Sequence, residues 1–321
     1  MEVVDLKQYN CTIENPVDNL YETKPKSISQ PCLMMVVGVR NSGKSYTMSQ
    51  LLKDDHDCFD RIYMITPSFK SNAAYFEKYV NEEDVFKPSK DAVNKVVAQV
   101  ELDKEEWELH LEKLRVYAEF MKACKDNKFN YSDDDLLALY DMDLLNGSPP
   151  VWKYHRKGKE DEPPRSFLIM DDCLGSKALL QSSGVTTIST LNRHIAPLEE
   201  NWVSKKTGRV RSACGLGVAI LTQTYSMRDG ISRVVRENLT DLLVYQNKQE
   251  GQMNKLKEEL CSVVDEELFS EAYNKATSKK YGCLCISFKP KCASLTFRQN
   301  LSKAITFPQL PCTCNGEVCK K

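Results

Sequence analysis

The segment from Gly38 to Ser45 has the sequence G-V-R-N-S-G-K-S and fits the phosphate-binding pattern G-x-x-x-x-G-K-[ST] at every position. Its two glycines would let the loop fold back, so that successive backbone N–H groups point at phosphate oxygens. Lys44 would reach the β- and γ-phosphates of ATP, and the Ser45 hydroxyl would ligate Mg²⁺. The predicted nucleotide-binding residues are Gly38, Val39, Arg40, Asn41, Ser42, Gly43, Lys44, Ser45 and Tyr46.

Two adjacent carboxylates, Asp171 and Asp172, follow the apolar run 167–170. A parallel strand ends beside the phosphate loop in such sites, and an acidic residue there holds the metal ion. We predict Asp171 as the Mg²⁺ ligand, directly or through water, and Asp172 as the group that orients and deprotonates the attacking water. The alternative for Asp172 is that it only caps the turn that follows.

Gln223 ends another apolar run, and its side-chain amide would hydrogen-bond the γ-phosphate or the attacking water. The effect of hydrolysis would then be transmitted to the segment that follows, residues 225–238. The alternative is a surface glutamine without a catalytic role. With Lys44, Asp172 and Gln223 as candidate catalytic groups, hydrolysis of a nucleoside triphosphate is the predicted chemistry.

Short apolar runs bounded by polar residues predict the strands that position these groups. The runs are 33–37, 61–66, 166–170, 218–223 and 241–245, and residues 45–53 have helical spacing. Because strands alternate with helical segments, we predict an α/β fold with a mainly parallel central sheet flanked by helices. Two further runs, 282–288 and 293–297, predict a C-terminal hairpin.

Residues from about 68 to 164 differ in character from the rest of the chain. Apolar residues recurring at intervals of four and three mark one face of a long helix there. These residues are Trp107, Leu111, Leu114, Ala118 and Met121. We therefore predict a helical insertion at about 68–164 within one P-loop ATPase domain, 31–310. A polar arm, 1–30, precedes this domain, and a cysteine-containing tail, 311–321, follows it.

The 321 residues carry 44 Lys plus Arg against 45 Asp plus Glu, a net charge of −1. A nucleic-acid partner would need a local basic patch, because the chain has no overall positive charge. The apolar runs are far shorter than the ~20 residues of a membrane span, so no membrane partner is expected. The 13 cysteines are odd in number and scattered, which favours a reducing compartment over a secreted disulfide framework.

Further motifs follow the phosphate loop in a fixed order. They are Asp171-Asp172 with Gly175, Leu191-Asn192-Arg193-His194, Thr222-Gln223-Thr224-Tyr225 and Arg236-Glu237-Asn238-Leu239-Thr240. Together with the loop, this series resembles the poxvirus-type viral genome-packaging ATPases, a family in the FtsK–HerA branch of P-loop NTPases. The resemblance covers roughly residues 33–55 and 166–247, about a third of the chain.

The resemblance implies a RecA-like sheet in which the Walker B strand, 166–170, lies beside the phosphate-loop strand. It also implies a homo-oligomeric ring, a hexamer or pentamer, whose pore moves double-stranded DNA into a viral capsid. Viral capsid components would be partners, and the host cytoplasm, a viral factory or the virion would be the location.

In rings of this kind an arginine from a neighbouring subunit stabilises the charge of the transition state. Arg193 is the catalytic candidate, because it matches the Arg-His pair of the family, and Arg236 is the second choice. For either residue, the alternative is a surface arginine or an intramolecular salt bridge.

The chain departs from the family pattern between Ala196 and Cys214, where an inserted segment is basic. We predict a loop that faces the ring pore and contacts DNA, since neutralising phosphates supplies affinity that does not depend on sequence. The predicted DNA contacts are Lys205, Lys206, Arg209 and Arg211. The alternative is an ordinary solvated loop.

The tail ends in the pattern C-x-C-x₄-C, formed by Cys312, Cys314 and Cys319. Zinc prefers four thiolate or imidazole ligands, so a fourth would have to come from elsewhere, such as Cys292. A reduced, flexible tail without metal is the favoured interpretation.

Two other functions remain open from the sequence. A small-molecule P-loop kinase would need an acceptor pocket and a lid, which the insertion would supply. A non-catalytic, nucleotide-dependent virion assembly protein would bind ATP without turning it over. Stimulation of ATP hydrolysis by double-stranded DNA would distinguish the motor from both.

Overall fold

The computed structural model describes residues 17–21, 23–24, 27–128, 130–154, 161–226, 230–247, 250–260, 265–312 and 314. The strands are β1 (Leu33–Val37), β2 (Arg61–Ile65), β3 (Val85–Phe86), β4 (Ser166–Asp171), β5 (Pro197–Val203), β6 (Val210–Ala213), β7 (Leu216–Thr222), β8 (Asp241–Tyr245), β9 (Cys283–Ser287), β10 (Phe297–Gln299) and β11 (Lys303–Ala304). The helices are α1 (Lys44–Asp55), α2 (Ala73–Phe76), α3 (Ala92–Lys125), α4 (Asp133–Asp141), α5 (Lys177–Leu180), α6 (Ser183–Leu191), α7 (Arg233–Glu237), α8 (Glu250–Leu260) and α9 (Glu266–Thr277). Short 3₁₀ turns lie at His56–Cys58, Glu82–Asp84, Cys173–Gly175, Asn192–His194 and Ala293–Leu295.

Within these residues, nine strands form one sheet in the order β11-β10-β9-β8-β1-β7-β4-β2-β3. The strands from β8 to β3 are parallel to their neighbours, whereas β9, β10 and β11 are added antiparallel at one side. The predicted fold class, α/β with a mainly parallel sheet, is therefore confirmed. The C-terminal hairpin is also present as β9 and β10, although residues 293–295 form a turn and the second arm begins at Phe297.

The prediction that the strand bearing Asp171 lies beside the phosphate-loop strand is wrong, because β7 lies between β4 and β1. β7 pairs with β1 as far as Thr222↔Val37. On its other side β7 pairs with β4 as far as Leu221↔Asp171. The three strands thus end together at one edge of the sheet, here called the carboxyl edge. The opposite edge, where the parallel strands begin, is called the amino edge.

The sheet is buried on both faces, which explains its uninterrupted apolar runs. Alternate residues of β1 point to opposite sides. Leu33, Met35 and Val37 join the core that includes residues of α3, α6 and α9. Met34 and Val36 join a second core formed with α1. All five side chains are at most 2% exposed, so β1 is a rigid base for the loop that follows it.

The insertion between β2 and β4 is mainly helical, as predicted, and it also adds β3 as a parallel edge strand. The buried side chains of α3 lie between Ala92 and His110 and include Val93, Val96, Val100 and Trp107. Of the apolar face predicted from sequence, Leu111, Leu114 and Met121 are only partly buried and Ala118 is exposed. The second half of α3 therefore projects beyond the packed core. No helix in the described part of the chain is both long and apolar enough to span a bilayer.

A buried carboxylate fixes α3 to the sheet. Asp103 is 2% exposed and accepts hydrogen bonds from Arg61 at 3.2 Å and from Tyr63 at 3.1 Å, both on β2. Lys153 and Tyr154 donate to the same carboxylate at 2.8 and 2.9 Å. Since a buried charge requires such partners, this cluster holds α3 and the segment 153–154 against β2.

The basic segment between α6 and β7 forms a separate two-stranded antiparallel hairpin, β5–β6. Cys214 and Gly215 connect β6 directly to the start of β7, so this hairpin lies at the amino edge. The N-terminal arm packs here too, because Val17 forms a bridge with Val210 and the Tyr21 hydroxyl donates to the Cys214 carbonyl oxygen. The hairpin and the phosphate loop are thus at opposite edges of the same sheet.

Candidate active site

The phosphate loop joins the end of β1 to the start of α1, as its sequence pattern requires. Asn41 (φ 61°) and Gly43 (φ 108°) have positive φ, and the Ser42 N–H donates to the Val39 carbonyl oxygen at 3.2 Å. A backbone of this kind turns N–H groups toward a common centre. The N-terminus of α1 adds the positive end of its dipole. The loop therefore has the geometry of an anion-binding site.

Close packing explains why residue 38 is glycine. A Cβ atom here would lie 2.5 Å from Ser42 Oγ and 2.9 Å from the Tyr245 side chain. The Tyr245 hydroxyl donates to the Gly43 carbonyl oxygen at 3.0 Å and contacts the Thr47 hydroxyl. Tyr245, the last residue of β8, thus positions the loop. Tyr245 was not identified from sequence. The one indication was that an aromatic residue with a hydroxyl group stands at the end of an apolar strand.

Lys44 contacts the loop that it follows, since its Nζ donates to the carbonyl oxygens of Gly38 at 2.6 Å and Val39 at 3.1 Å. Burial lowers the pKa of Lys44, while the charges of Asp171 and Asp172 raise it. The predicted cation and both predicted carboxylates therefore come together in the fold. An ammonium in this position can donate to the phosphate oxygens of a nucleotide bound in the loop.

Asp171 is 4% exposed at the end of β4, and the Asn72 amide donates to its Oδ2 at 2.6 Å. Burial raises the pKa of Asp171 to about 6, the charge of Asp172 adds to this rise, and Lys44 opposes it. A divalent cation would stabilise the ionised carboxylate, which is the behaviour expected of a metal ligand. Asn72 comes from the beginning of the insertion, and no sequence signal pointed to it.

Asp172 is exposed, has a left-handed backbone (φ 52°), and accepts a hydrogen bond from Gln223 Nε2 at 3.2 Å. Its side chain makes no capping hydrogen bond to the described turn at 173–175, so the capping alternative is not supported. A solvent-accessible carboxylate oriented by an amide has the chemistry of a general base. Gln223 is exposed but is not a simple surface glutamine, because it holds this carboxylate.

The residues present fit a nucleotide with Mg²⁺. Ser42 Oγ is buried and has no hydrogen-bond partner in the described structure, and a phosphate oxygen would satisfy it. Ser45, the second residue of α1, is half-buried and offers, with Asp171, the oxygen ligands that Mg²⁺ prefers. Val39 and Arg40 are exposed on the loop.

A cavity of about 920 Å³ opens beside the phosphate loop, between α1 and the segments 279–282 and 299–303. Its volume lies within the range of small-molecule sites. Tyr46 and Tyr281 line it and are 56% and 57% exposed, so both rings are available to contact a ligand. The structure therefore places Tyr46 beside a space large enough for the nucleoside part of ATP.

Arg193 lies at the amino edge, in the turn that follows α6. The neighbouring Asn192 amide donates to the carbonyl oxygens of Cys32 at 3.2 Å and Leu216 at 3.3 Å, where β1 and β7 begin. The seven residues of β7 span about 20 Å at ~3.3 Å per residue, which separates Arg193 from the phosphate loop of its own chain. The predicted catalytic role of Arg193 therefore requires a second subunit.

Arg236, the second arginine candidate, forms an intramolecular salt bridge instead. Its guanidinium donates to both carboxylate oxygens of Glu259, at 2.8 and 2.9 Å, and lies over the ring of Tyr225. The Tyr225 hydroxyl donates to the same carboxylate at 2.9 Å. This arrangement holds Arg236 within its own chain, in agreement with the alternative stated above.

The basic hairpin exposes three of the four residues predicted to contact DNA. Lys205, Lys206 and Arg209 lie in the connection between β5 and β6 and are exposed. Lys205 is 89% exposed and pairs with Asp161 at 3.0 Å, and Arg209 lies 3.9 Å from Asp18. Pairs this exposed are weak and exchange readily for other anions.

The prediction that Arg211 contacts DNA is wrong, because its side chain is 1% exposed. The guanidinium lies over the ring of Tyr21, at 4.7 Å from the centroid. It donates to four backbone carbonyl oxygens, those of Pro163, Pro164, Ala213 and Cys214. Arg211 thus joins the N-terminal arm, the segment before β4 and the start of β7.

The sequence matches no protein-family model and no curated protein. Among solved structures, the chain is similar to the genome packaging NTPase B204 from Sulfolobus turreted icosahedral virus 2 in complex with sulfate, at 14% identity over 88% of this chain and 98% of that chain, with a TM-score of 0.40. It is also similar to the pCW3 conjugation coupling protein TcpA, at 15% identity over 78% of this chain and 56% of that chain, with a TM-score of 0.39. A third similarity is to the cytoplasmic domain of the type VII secretion ATPase EccC from Thermomonospora curvata, at 14% identity over 85% of this chain and 25% of that chain, with a TM-score of 0.36. These similarities are too weak to assign a function to the chain.

Proposed function

We propose that the chain is an ATP-hydrolysing motor that moves double-stranded DNA into a viral capsid. One observation carries the proposal: three groups suited to hydrolysis meet at the carboxyl edge. Lys44 follows β1, Asp172 follows β4 and Gln223 follows β7, the strand between them. Attack by water on a bound phosphate requires a lysine that binds the phosphate, a carboxylate, and an amide that orients the carboxylate.

In this mechanism the loop binds the phosphates through its backbone N–H groups, and Lys44 donates to the γ-phosphate. Asp172 accepts the proton of the water whose oxygen bonds to the γ-phosphorus, while the Gln223 amide keeps the carboxylate directed at that water. The bond from the γ-phosphorus to the β–γ bridging oxygen breaks, and ADP and inorganic phosphate leave. Ser45 and Asp171 would hold Mg²⁺, which supplies positive charge at the β- and γ-phosphate oxygens.

The segment after Gln223 offers a route from hydrolysis to movement. Tyr225, two residues further on, hydrogen-bonds Glu259 of α8 at 2.9 Å, and Arg236 of α7 binds the same carboxylate. A change in the position of Gln223 on loss of the γ-phosphate would therefore reach α7 and α8 through a bonded network. This supports the predicted response of residues 225–238, of which 227–229 lie outside the described residues.

A head-to-tail ring, hexameric or pentameric, would bring the amino edge of one subunit to the carboxyl edge of the next. Arg193 would then stabilise transition-state charge in the neighbouring site. The exposed Lys205, Lys206 and Arg209 would contact DNA phosphates in the pore. Viral capsid components are the proposed partners, and the host cytoplasm, a viral factory or the virion is the proposed location.

The test is the ATPase rate of the full chain with and without linear double-stranded DNA, together with the mass of the assembled particle. We expect DNA to raise the rate and the mass to correspond to a ring. Lys44→Ala and Asp172→Asn should each lower turnover by ~10²-fold or more, since each removes a group that acts in the transition state. Lys122→Ala, an exposed change on α3, is the matched control and should leave the rate unchanged.

Each alternative predicts a different result. Hydrolysis that DNA does not alter would refute translocation and leave only an ATPase. Transfer of the γ-phosphate to a small acceptor in preference to water would identify a kinase. Nucleotide binding without turnover would identify an assembly protein.

A further inference from the structure

Three cysteine thiols meet at the amino edge of the sheet, far from the nucleotide site. Cys292 lies in the connection between β9 and β10, and Cys312 and Cys314 lie in the C-terminal tail. Their sulfur atoms all lie within 4.8 Å of one another, with 3.8 Å between Cys292 and Cys312 and 3.4 Å between Cys312 and Cys314. Both of these distances exceed the ~2.05 Å of a disulfide.

We infer that Cys292, Cys312 and Cys314 bind one Zn²⁺ ion. Thiolates of a tetrahedral zinc site lie about 3.8 Å apart, because each is ~2.3 Å from the metal and the bonds diverge at the tetrahedral angle. The Cys292–Cys312 separation already has this value, and small rotations about χ1 would adjust the other two. This inference departs from the interpretation favoured from sequence, in which the tail cysteines are reduced and bind no metal.

The chemistry of the cluster selects zinc over the cations of the nucleotide site. The cluster offers three sulfur ligands and no carboxylate, whereas Mg²⁺ and Ca²⁺ require oxygen ligands. Three thiolates this close would repel each other, and a bound divalent cation removes that repulsion. The Ser294 hydroxyl lies 3.3 Å from Cys292 Sγ, close enough to donate to a thiolate.

Burial and access also suit a metal site. Cys292 is 1% exposed, so it is a fixed ligand on the body of the domain. Cys312 is exposed, which gives the ion a path of entry. The site assigned here consists of three thiolates. Cys319, the third cysteine of the tail pattern, lies outside the described residues and is treated as a separate arm of the test.

Zinc at this position would fasten the chain end to the domain. β9 ends opposite the first residue of β8, which places the β9–β10 connection at the amino edge. Lys291, next to Cys292, donates to the Lys24 carbonyl oxygen at 2.8 Å and to the Thr23 hydroxyl at 2.6 Å. The same connection therefore holds the N-terminal arm and, through zinc, the C-terminal tail. This role is independent of ATP hydrolysis.

The test is zinc content of the full chain, purified under reducing conditions without chelators and measured by elemental analysis and native mass spectrometry. We expect about one zinc per chain. Cobalt(II) replacing the zinc should give thiolate-to-metal charge-transfer absorption. Cys292→Ser and Cys312→Ser should each weaken binding by more than ~100-fold, since even the loss of an outer partner of a ligand costs ~10–100-fold.

The controls separate a specific site from general thiol binding. Cys124→Ser changes an exposed cysteine on α3 and should keep the zinc. Chelation should lower the thermal midpoint of the parent protein but not that of Cys292→Ser, because binding to the native state raises its stability. If Cys292→Ser does not fold, Cys312→Ser at an exposed position provides the same comparison.

Three results would overturn the inference. One is a parent chain without zinc and without the cobalt absorption. Another is a disulfide among these cysteines in protein kept reduced. The third is zinc retained by Cys292→Ser but lost from Cys319→Ser, which would place the metal in the tail alone.

Discussion

The Gln223 amide and the Asp172 carboxylate are joined across two neighbouring strands, with Nε2 and Oδ1 3.2 Å apart. The contact exists because β7 lies between the phosphate-loop strand and the strand that bears the carboxylates. Gln223 therefore emerges between Lys44 and Asp172 and can respond to both. Its first partner is the proposed base, whereas the γ-phosphate or the water was expected from sequence.

Gln223→Ala should lower kcat by ~10–100-fold, a part of the ~10²–10⁴ that a positioned general base contributes. Nucleotide affinity should stay close to that of the parent, because the loop and Lys44 are intact. Steady-state ATPase kinetics and equilibrium binding of a non-hydrolysable analogue measure the two effects. Gln309→Ala, at an exposed position, is the control. An unchanged kcat would remove Gln223 from the mechanism.

Arg193→Ala should lower the ATPase rate by ~10³-fold or more if the residue acts in a neighbouring site. A mixing experiment separates this from a role in cis. Lys44→Ala subunits keep Arg193, and Arg193→Ala subunits keep the phosphate loop, so a mixed ring contains some complete sites. The mixture should therefore hydrolyse ATP faster than either variant alone.

Arg233→Ala is the control for this experiment, since Arg233 is 79% exposed and forms a salt bridge with Glu237 one turn further along its own helix. It should hydrolyse ATP at the parent rate. A mixture no more active than its components, with Arg193→Ala itself inactive, would contradict the role in trans.

Charge reversal of Lys205, Lys206 and Arg209 to Glu should abolish stimulation of the ATPase by DNA and spare the basal rate. The hairpin is at the opposite edge from the phosphate loop, so the chemistry should not be affected. If each residue neutralises one phosphate, the slope of the logarithm of DNA affinity against the logarithm of salt concentration should become less steep by up to ~2.7. Reversal of Lys122 and Lys125, exposed on α3, is the control. Unchanged stimulation would exclude the hairpin from DNA binding.

Arg211→Ala should instead affect folding. The change removes the guanidinium that donates to the backbone carbonyl oxygens of Pro164, Ala213 and Cys214, the last at 2.6 Å. We expect a loss of ~2–5 kcal/mol in the free energy of unfolding, measured by urea denaturation. Lys205→Ala, in the same hairpin but 89% exposed, should change it by less than ~0.5 kcal/mol. Equal stabilities for the two variants would contradict the structural role of Arg211.

The inner parallel strands β1, β2, β4, β7 and β8 could be predicted from sequence because they are buried on both faces. The run 241–245 matches β8 at both ends, and 33–37 matches β1. The order of the strands could not be predicted, since an apolar run does not specify its neighbours. That is why β7 was not expected between β1 and β4, although the residues at their carboxyl ends were identified.

Other site residues were missed because their roles arise from distant parts of the chain. Asn72 reaches Asp171 from the insertion. Tyr245 reaches the loop from a strand that is 202 positions after Gly43 in the sequence. Arg211 was assigned to the wrong environment for the same reason. It belongs to a basic run, but its side chain is buried against Tyr21 and several backbone carbonyl oxygens, and the run itself does not indicate those partners.

Asp241 provides a prediction of how stability depends on pH. This first residue of β8 is 4% exposed and accepts hydrogen bonds from the hydroxyls of Ser287 at 2.6 Å and Thr240 at 2.9 Å. Burial raises the pKa of Asp241, although these hydrogen bonds and the charge of Arg298 oppose the rise. The folded state therefore favours the neutral carboxyl more than the unfolded state does.

A carboxyl group whose pKa is higher in the folded state binds protons more readily there, so its contribution to stability is lost as pH rises. The loss begins near the ordinary aspartate pKa of ~3.9 and is complete above the raised pKa of the folded state. Each unit by which the two pKa values differ corresponds to ~1.4 kcal/mol of stability. The unfolding free energy of the parent, relative to Asp241→Asn, should therefore fall as pH rises from about 4 through the raised pKa. Urea denaturation of both proteins across this range measures it, with the exposed Asp141→Asn as the control for surface charge. A difference that grows in favour of the parent as pH rises would show that Asp241 is ionised in the fold and paired with Arg298, since only a lowered pKa gives that sign.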